Sequence, residues 1–184
     1  MNRLKSILVL AALGFVLLPA LAQEKRYSPH ATVGNIIDGN RVTIIYGRPY
    51  TKNPRGPHAG ELRKIWGSLV PFGKVWRLGA DEATLLVTQK PLAFGDLTVP
   101  AGACTLYLLP NQDGTAKLII NKQIGQWGTD YDQAQDLGRV NASRETLDNP
   151  VNQFTISIVK DGAGGGVIKL AWENTQYSVP FTVR

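Results

Sequence analysis

The run Gln153-Phe-Thr-Ile-Ser-Ile-Val-Lys160, the tip Asp161-Gly-Ala-Gly-Gly-Gly166 and the run Val167-Ile-Lys-Leu-Ala-Trp-Glu173 decide the fold. Phe154, Ile156 and Ile158 alternate with Gln153, Thr155 and Ser157. Ile168, Leu170 and Trp172 alternate with Val167, Lys169 and Ala171. Successive side chains of a strand point to opposite faces, so a period of two buries one face and wets the other. The glycine-rich tip between the runs supplies residues that tolerate positive φ, as a hairpin loop requires. Tyr177, Val179, Phe181 and Val183 repeat the alternation at the C-terminus. Pro180 inside that run predicts an edge strand, because proline cannot donate to a ladder.

Upstream, the same grammar recurs. Asp38-Gly39-Asn40 joins an opening strand over 32–37 to Arg41–Gly47. Gly95-Asp96 separates Leu92–Phe94 from Leu97–Val99, and Asn111-Gln-Asp-Gly114 separates Thr105–Leu109 from Lys117–Asn121. Leu85–Val87, Cys104–Leu109 and Leu118–Ile120 are more uniformly apolar, as strands covered on both faces would be. About nine strands at this spacing predict an all-β, single-domain antiparallel β-sandwich, jelly-roll or Ig-like, with one or two short helical turns in loops. The helical turns belong to two other stretches. Leu62, Ile65, Trp66 and Leu69 fall at i, i+3, i+4 and i+7, which predicts a short helix after the Pro/Gly-rich loop 51–60. Gly125–Leu137, with Trp127, Tyr131 and three Asp, reads as a long excursion with one helical turn.

The 184 residues suit one domain. Residues 1–22 have the three parts of a secretory signal: Arg3 and Lys5, an apolar run from Ile7 to Leu18, and Ala20-Leu21-Ala22. The apolar run is too short to span a bilayer. Cleavage after Ala22 is predicted, leaving 23–184 as a single periplasmic or secreted β-sandwich domain with no membrane span. The net charge of +6 comes from scattered Lys and Arg rather than a clustered stripe, so nucleic-acid binding is not expected. One Cys excludes an intrachain disulfide and a Cys-based zinc site. Cys104 lies in an apolar strand, where a thiol has a raised pKa and is inert.

Catalytic signatures are missing. Ser68 lacks the second Gly of a nucleophile elbow. Residues 162–166 hand over to a strand, not a helix, so they form no phosphate cradle. Asp130, Asp132 and Asp136 fail the EF-hand pattern at Ala134 and Gln135. His30 and His58 have no metal-ligand spacing, and a metal would need Asp or Glu from elsewhere. No cofactor and no metal are expected.

The densest unusual patch is Trp66 to Glu82. Arginine beside aromatics can stack on a sugar ring or grip a carboxylate or phosphate with a planar fork. Arg48, Trp66, Trp76, Arg77 and Glu82 are therefore the candidate ligand-binding residues. An equally physical alternative has Trp66 and Trp76 closing one end of the core while Arg77 pairs with Glu82. Asp81 and Glu82 are candidate acid/base groups, although neighbours on a strand point to opposite faces and so would not form a facing pair.

Several runs carry a family resemblance. These are Ile44-Ile-Tyr-Gly-Arg-Pro49, Arg63-Lys-Ile-Trp-Gly-Ser-Leu-Val-Pro-Phe-Gly-Lys-Val-Trp-Arg-Leu-Gly-Ala-Asp-Glu-Ala-Thr84, Pro100-Ala-Gly-Ala-Cys-Thr-Leu-Tyr107, Ile120-Asn-Lys122 and Gln126-Trp-Gly128. Together they resemble the bacterial family catalogued as domain of unknown function 2911, over roughly residues 28 to 183. The resemblance implies a secreted or periplasmic protein and supplies no catalytic residues. This chain departs from the family pattern by a longer insert at about 51–62 and by Cys104 where a small hydroxyl-type residue is usual. Three functions follow: a binding module for a small molecule, glycan or envelope partner protein; a hydrolase using Glu82 or Asp81; or a purely structural envelope protein.

Overall fold

Turn chemistry sets the first hairpin. In the computed structural model, which describes residues 26–184, β1 (His30–Ile37) and β2 (Asn40–Gly47) pair antiparallel. Asp38 (φ 45) and Gly39 (φ 67) join them. Two successive positive φ values make a type I′ turn, whose twist matches that of the flanking strands. The remaining strands are β3 (Thr84–Thr88), β4 (Leu92–Phe94), β5 (Leu97–Val99), β6 (Gly102–Pro110), β7 (Ala116–Asn121), β8 (Asp136–Lys160) and β9 (Gly166–Val183). They form a single nine-stranded antiparallel ribbon in the order β1-β2-β3-β6-β7-β8-β9-β4-β5.

β8 folds that ribbon into two layers. Its first part, Asp136–Ala142, pairs with β7, and its remainder, from Ser143 to Lys160, pairs with β9. The register breaks around Val151, opposite Glu173, which sits at φ 50. Such irregularities bend strands and let one strand serve two layers. The fold-over returns the far half of β8 to β1 and β2. Asn35 Nδ2 donates to the Ile158 carbonyl at 3.0 Å, and the Tyr46 hydroxyl accepts from Ile156 N–H at 2.8 Å. The result is the antiparallel β-sandwich that the alternation predicted.

The core lies between the layers, where Ile44, Leu86, Leu106 and Leu118 meet Phe154, Ile156, Leu170 and Trp172 in one buried cluster. Each such side chain contributes about 1.5–3 kcal/mol through burial. β6 and β7 are covered on their other face too. Tyr107 and Ile119 pack there with Ala83, Val75 and Tyr131, which accounts for their uniformly apolar sequence.

Three expectations are corrected. No helix forms over 62–69; the segment is a chain of turns with Gly67 at φ 80. Ile65 and Val70 are its buried anchors, while Leu62 is 72% exposed. The helical spacing is not used: Leu62 and Leu69 are exposed, and Val70 N–H donates back to the Ile65 carbonyl at 2.9 Å to close a turn. Pro180 is not on an edge strand, since β9 lies between β8 and β4. It falls between Ser178, where pairing with β8 ends, and Thr182, where pairing with β4 begins. Proline is tolerated there because no ladder bond is required. Finally, the excursion expected over Gly125–Leu137 ends earlier, because β8 begins at Asp136. The expected helical turn in the 125–137 excursion is present at Gln133–Gln135, capped by Asp132. The signal peptide assigned to 1–22 lies outside the described residues. Among the described residues, no helix is long and apolar enough to cross a membrane.

Candidate functional site

One end of the sandwich is closed by tryptophans held in specific ways. β3 starts opposite Leu106, so the upper part of β6 lacks that neighbour. The segment ahead of β3 takes the place: Trp76 N–H donates to the Leu108 carbonyl at 2.8 Å, and Leu108 N–H returns the bond at 2.9 Å. This lays the Trp76 ring parallel to Trp172, with centroids 5.7 Å apart. Phe154 and Trp66 meet Trp76 edge-on at 4.9 and 6.0 Å. Offset and edge-on aromatic contacts of this kind add to the burial term.

The next residues form a strained turn. Leu78 (φ 52) and Asp81 (φ 64) both occupy the left-handed region, which is costly for non-glycine residues. Tight docking holds them there. A Cβ on Gly47 would collide with the Ala80 backbone, and one on Gly79 would stand 2.8 Å from the Gly47 carbonyl oxygen. The Thr84 hydroxyl donates to the buried Leu78 carbonyl at 2.7 Å. Gly128 N–H donates to the Asp81 carbonyl at 2.9 Å, pinning the second excursion to the turn.

These two excursions and the segment ahead of β1 enclose a cleft of about 960 Å³. Its walls include Trp76, Trp127, Trp172 and Tyr131, and it carries four arginines: Arg26, Arg55, Arg63 and Arg77. Asp81 is the one acidic side chain on its lining among the described residues. Arg55 lies over the Tyr27 ring at 4.6 Å, and Arg77 over the Trp127 ring at 5.9 Å. Arg63 donates through Nη2 to the Tyr50 carbonyl, but its buried Nε has no acceptor. Burial pulls the pKa of the Arg63 guanidinium down, and it makes no ion pair among the described residues. Trp172 is 1% exposed, and its indole N–H is likewise buried without an acceptor. Buried donors are rarely left unpaired, because each loses its hydration.

Of the residues singled out in the sequence, Trp76, Arg77 and Asp81 line this cleft. Trp66 lies behind it, donating to the Trp172 carbonyl at 3.4 Å. Arg48 is occupied elsewhere: its Nε donates to the Phe154 carbonyl at 3.1 Å and its Nη2 to the Thr155 hydroxyl at 2.8 Å, tying β2 to β8. Arg77 does not pair with Glu82. It donates to the Asp81 carbonyl at 3.1 Å.

Glu82 is gripped by Arg26 in a bidentate fork at 2.6 and 2.7 Å. The hydrogen bonds from Arg26 hold its carboxyl down at about 2 against some opposing desolvation. A carboxylate so placed is ionised near neutrality and has no proton to give. The expectation that Asp81 and Glu82 must diverge is corrected, because neither lies in a regular strand and Asp81 is left-handed. Their carboxylates converge with His30, one ligand atom from each lying within 4.8 Å of the others. This trio has the chemistry to hold a metal ion, but the Arg26 guanidinium already supplies a cation there. The facing carboxylates a glycoside hydrolase requires are not part of the cleft lining. Cys104 is buried and desolvation pushes its thiol up to about 12, as its apolar strand predicted.

Sequence reasoning missed Arg26, Arg55, Arg63, Trp127 and Trp172 as cleft residues. A usable signal existed: both non-strand stretches pair an arginine or tryptophan with turn residues, and the Glu82–Trp127 bridge brings them together.

The class defined here is a single-domain antiparallel β-sandwich with an arginine- and tryptophan-lined cleft at one end. The chain belongs to the family described as Protein of unknown function (DUF2911), whose model matches residues 28–181. Searches of the curated proteins and of the solved structures each gave no match.

Proposed function

We propose that the chain is an exported binding module that takes a small molecule or a short glycan into the cleft between Trp76, Trp127 and Arg63. The observation that carries this reading is the concave, aromatic-walled space itself. Ligand sites combine apolar walls with a few convergent polar groups, and a cleft of about 960 Å³ lies in their size range. Backbone strain at Leu78 and Asp81 on the cleft margin supports it, since strained residues concentrate at functional sites. Export rests on the pattern of residues 1–22, and mass spectrometry of the periplasmic or secreted protein should find Gln23 at its N-terminus. An intact N-terminal Met1 in that fraction would end this part of the proposal.

Three of the four tryptophans line the cleft, so intrinsic fluorescence reports occupancy. The test is a titration of the mature protein with glucose, glucuronate, phenylacetamide, phenylacetate and phenyl phosphate, followed by fluorescence and thermal shift. A ligand at a hundred times its Kd raises stability by about 2.7 kcal/mol. At least one probe should shift both readouts. A flat response to all five would overturn the binding reading.

A further inference from the structure

Resting on that reading, we infer that the cleft selects ligands bearing an oxyanion, a carboxylate or a phosphate, which accepts hydrogen bonds from Arg63 Nε and Trp172 Nε1. The molecule contains its own standard for a partly buried arginine with no buried donor left unpaired. Arg139 forks onto Asp136 through Nε and Nη2 at 2.9 and 2.8 Å and also donates to the Tyr131 hydroxyl. Arg48 likewise has its Nε and Nη2 bonded, to the Phe154 carbonyl and the Thr155 hydroxyl. Arg63 is half-buried as well, but the folded chain offers its Nε nothing.

A second donor on the same cleft, in a side chain 1% exposed, is unpaired too. Both orphaned buried side-chain groups on the lining are donors, and no buried side-chain acceptor on the lining is orphaned among the described residues. The missing partner is therefore an acceptor. Its sign follows from the lining charges, four guanidinium groups against one carboxylate. Arg26 is engaged by Glu82, whereas Arg55 and Arg77 rest on aromatic faces with no carboxylate partner among the described residues. Hydrogen bonds between guanidinium and oxyanion are about twice as strong as neutral ones, and the planar fork favours carboxylate and phosphate geometry. The flat walls of Trp76 and Trp127 suit a ring or sugar carrying the anion.

Matched probe pairs test this. Phenylacetate against phenylacetamide, and glucuronate against glucose, differ in the charged group while keeping the rest. Phenyl phosphate adds the second oxyanion and shows which of the two is preferred. The charged member should bind about 10–100-fold more tightly, the range for one or two charge-assisted hydrogen bonds. Its affinity should fall with added salt. Arg63→Gln should weaken the charged probe far more than its neutral twin and so shrink the gap between them. Arg63→Lys should retain part of the difference. Equal binding of the twins, or an undiminished preference in Arg63→Gln with a native circular dichroism spectrum, would overturn the oxyanion assignment while leaving the binding module intact. No binding by any probe would overturn both.

Discussion

Arg139 and Arg63 are both partly withdrawn from water, and the fold treats them in opposite ways. None of Arg139, Asp136, Tyr131 and Asn121 has a buried side-chain donor or acceptor left unpaired. Asp136 accepts from the guanidinium and from the Tyr131 hydroxyl at 2.7 Å, and its other oxygen accepts from Asn121 Nδ2 at 3.0 Å. The hydrogen bonds that Arg139 donates to Asp136 raise the Arg139 pKa, while desolvation followed by the bond to Asp136 lifts the Tyr131 hydroxyl to about 12. Around Arg63 burial acts alone and the pKa falls. The first cluster is architecture, closed on itself. The second is an interaction half made, and its other half must come from outside the chain.

The sharpest way to break this contrast is Asp136→Ala. It strands the Tyr131 hydroxyl proton and the Arg139 Nε, while Asn121 Nδ2 keeps its bond to the Asp132 carbonyl, and removing one partner from a part-buried charged network costs more than the network itself contributes. A loss of about 2–4 kcal/mol in urea denaturation is expected. A loss under about 0.5 kcal/mol would show that the cluster is not structural.

Next in size is a double comparison at Arg48 and Arg63. Arg48→Met removes hydrogen bonds that join β2 to β8 and should destabilise by about 1–2 kcal/mol. Arg63→Met removes a desolvated charge with no ionic partner and one exposed bond to the Tyr50 carbonyl, two opposed effects, so stability should stay within about 0.5 kcal/mol of the parent. Equal losses from the two would contradict the distinction between saturated and open arginines.

The smallest effect concerns acid. The Glu82 carboxyl is held at about 2, against an ordinary 4.5, chiefly by hydrogen bonding to Arg26. A depressed folded-state pKa gives stability that is fully present above about 4.5 and is lost as pH falls toward 2. The pair is solvent-exposed, so the loss is small. Glu82→Gln should flatten that part of the pH–stability curve and leave the neutral-pH midpoint nearly unchanged. An unaltered acid limb in Glu82→Gln would show that Arg26 does not hold the carboxylate in solution.

Much of the sandwich was legible because burial on one face of a strand leaves a local trace. Phe154, Ile156 and Ile158 announce β8, and Asp38-Gly39 announces the first hairpin, each within a few residues. The first half of β8 left no such trace. Residues 143–150 are almost wholly exposed or half-buried, so Arg144, Glu145 and Asp148 hide a strand whose ladder partners lie more than 25 residues away. At 62–69 the local trace was ambiguous, and Gly67 at φ 80 decided for turns. Trp76, Arg77 and Asp81 could be placed near a site because they crowd one segment. Arg63 could not, since its lack of an acid partner depends on everything folded around it. The convergence of Asp81 and Glu82 with His30 was hidden for another reason, a single left-handed residue that overrides the strand rule.

The most direct test reads the Trp172 indole N–H by nitrogen–proton correlation spectroscopy, with each of the four tryptophan signals assigned by substitution. During titration with phenyl phosphate the Trp172 indole proton should move downfield as it gains an acceptor, and the movement should vanish in Arg63→Gln. A Trp172 signal that stays in place while phenyl phosphate saturates the protein would contradict the account.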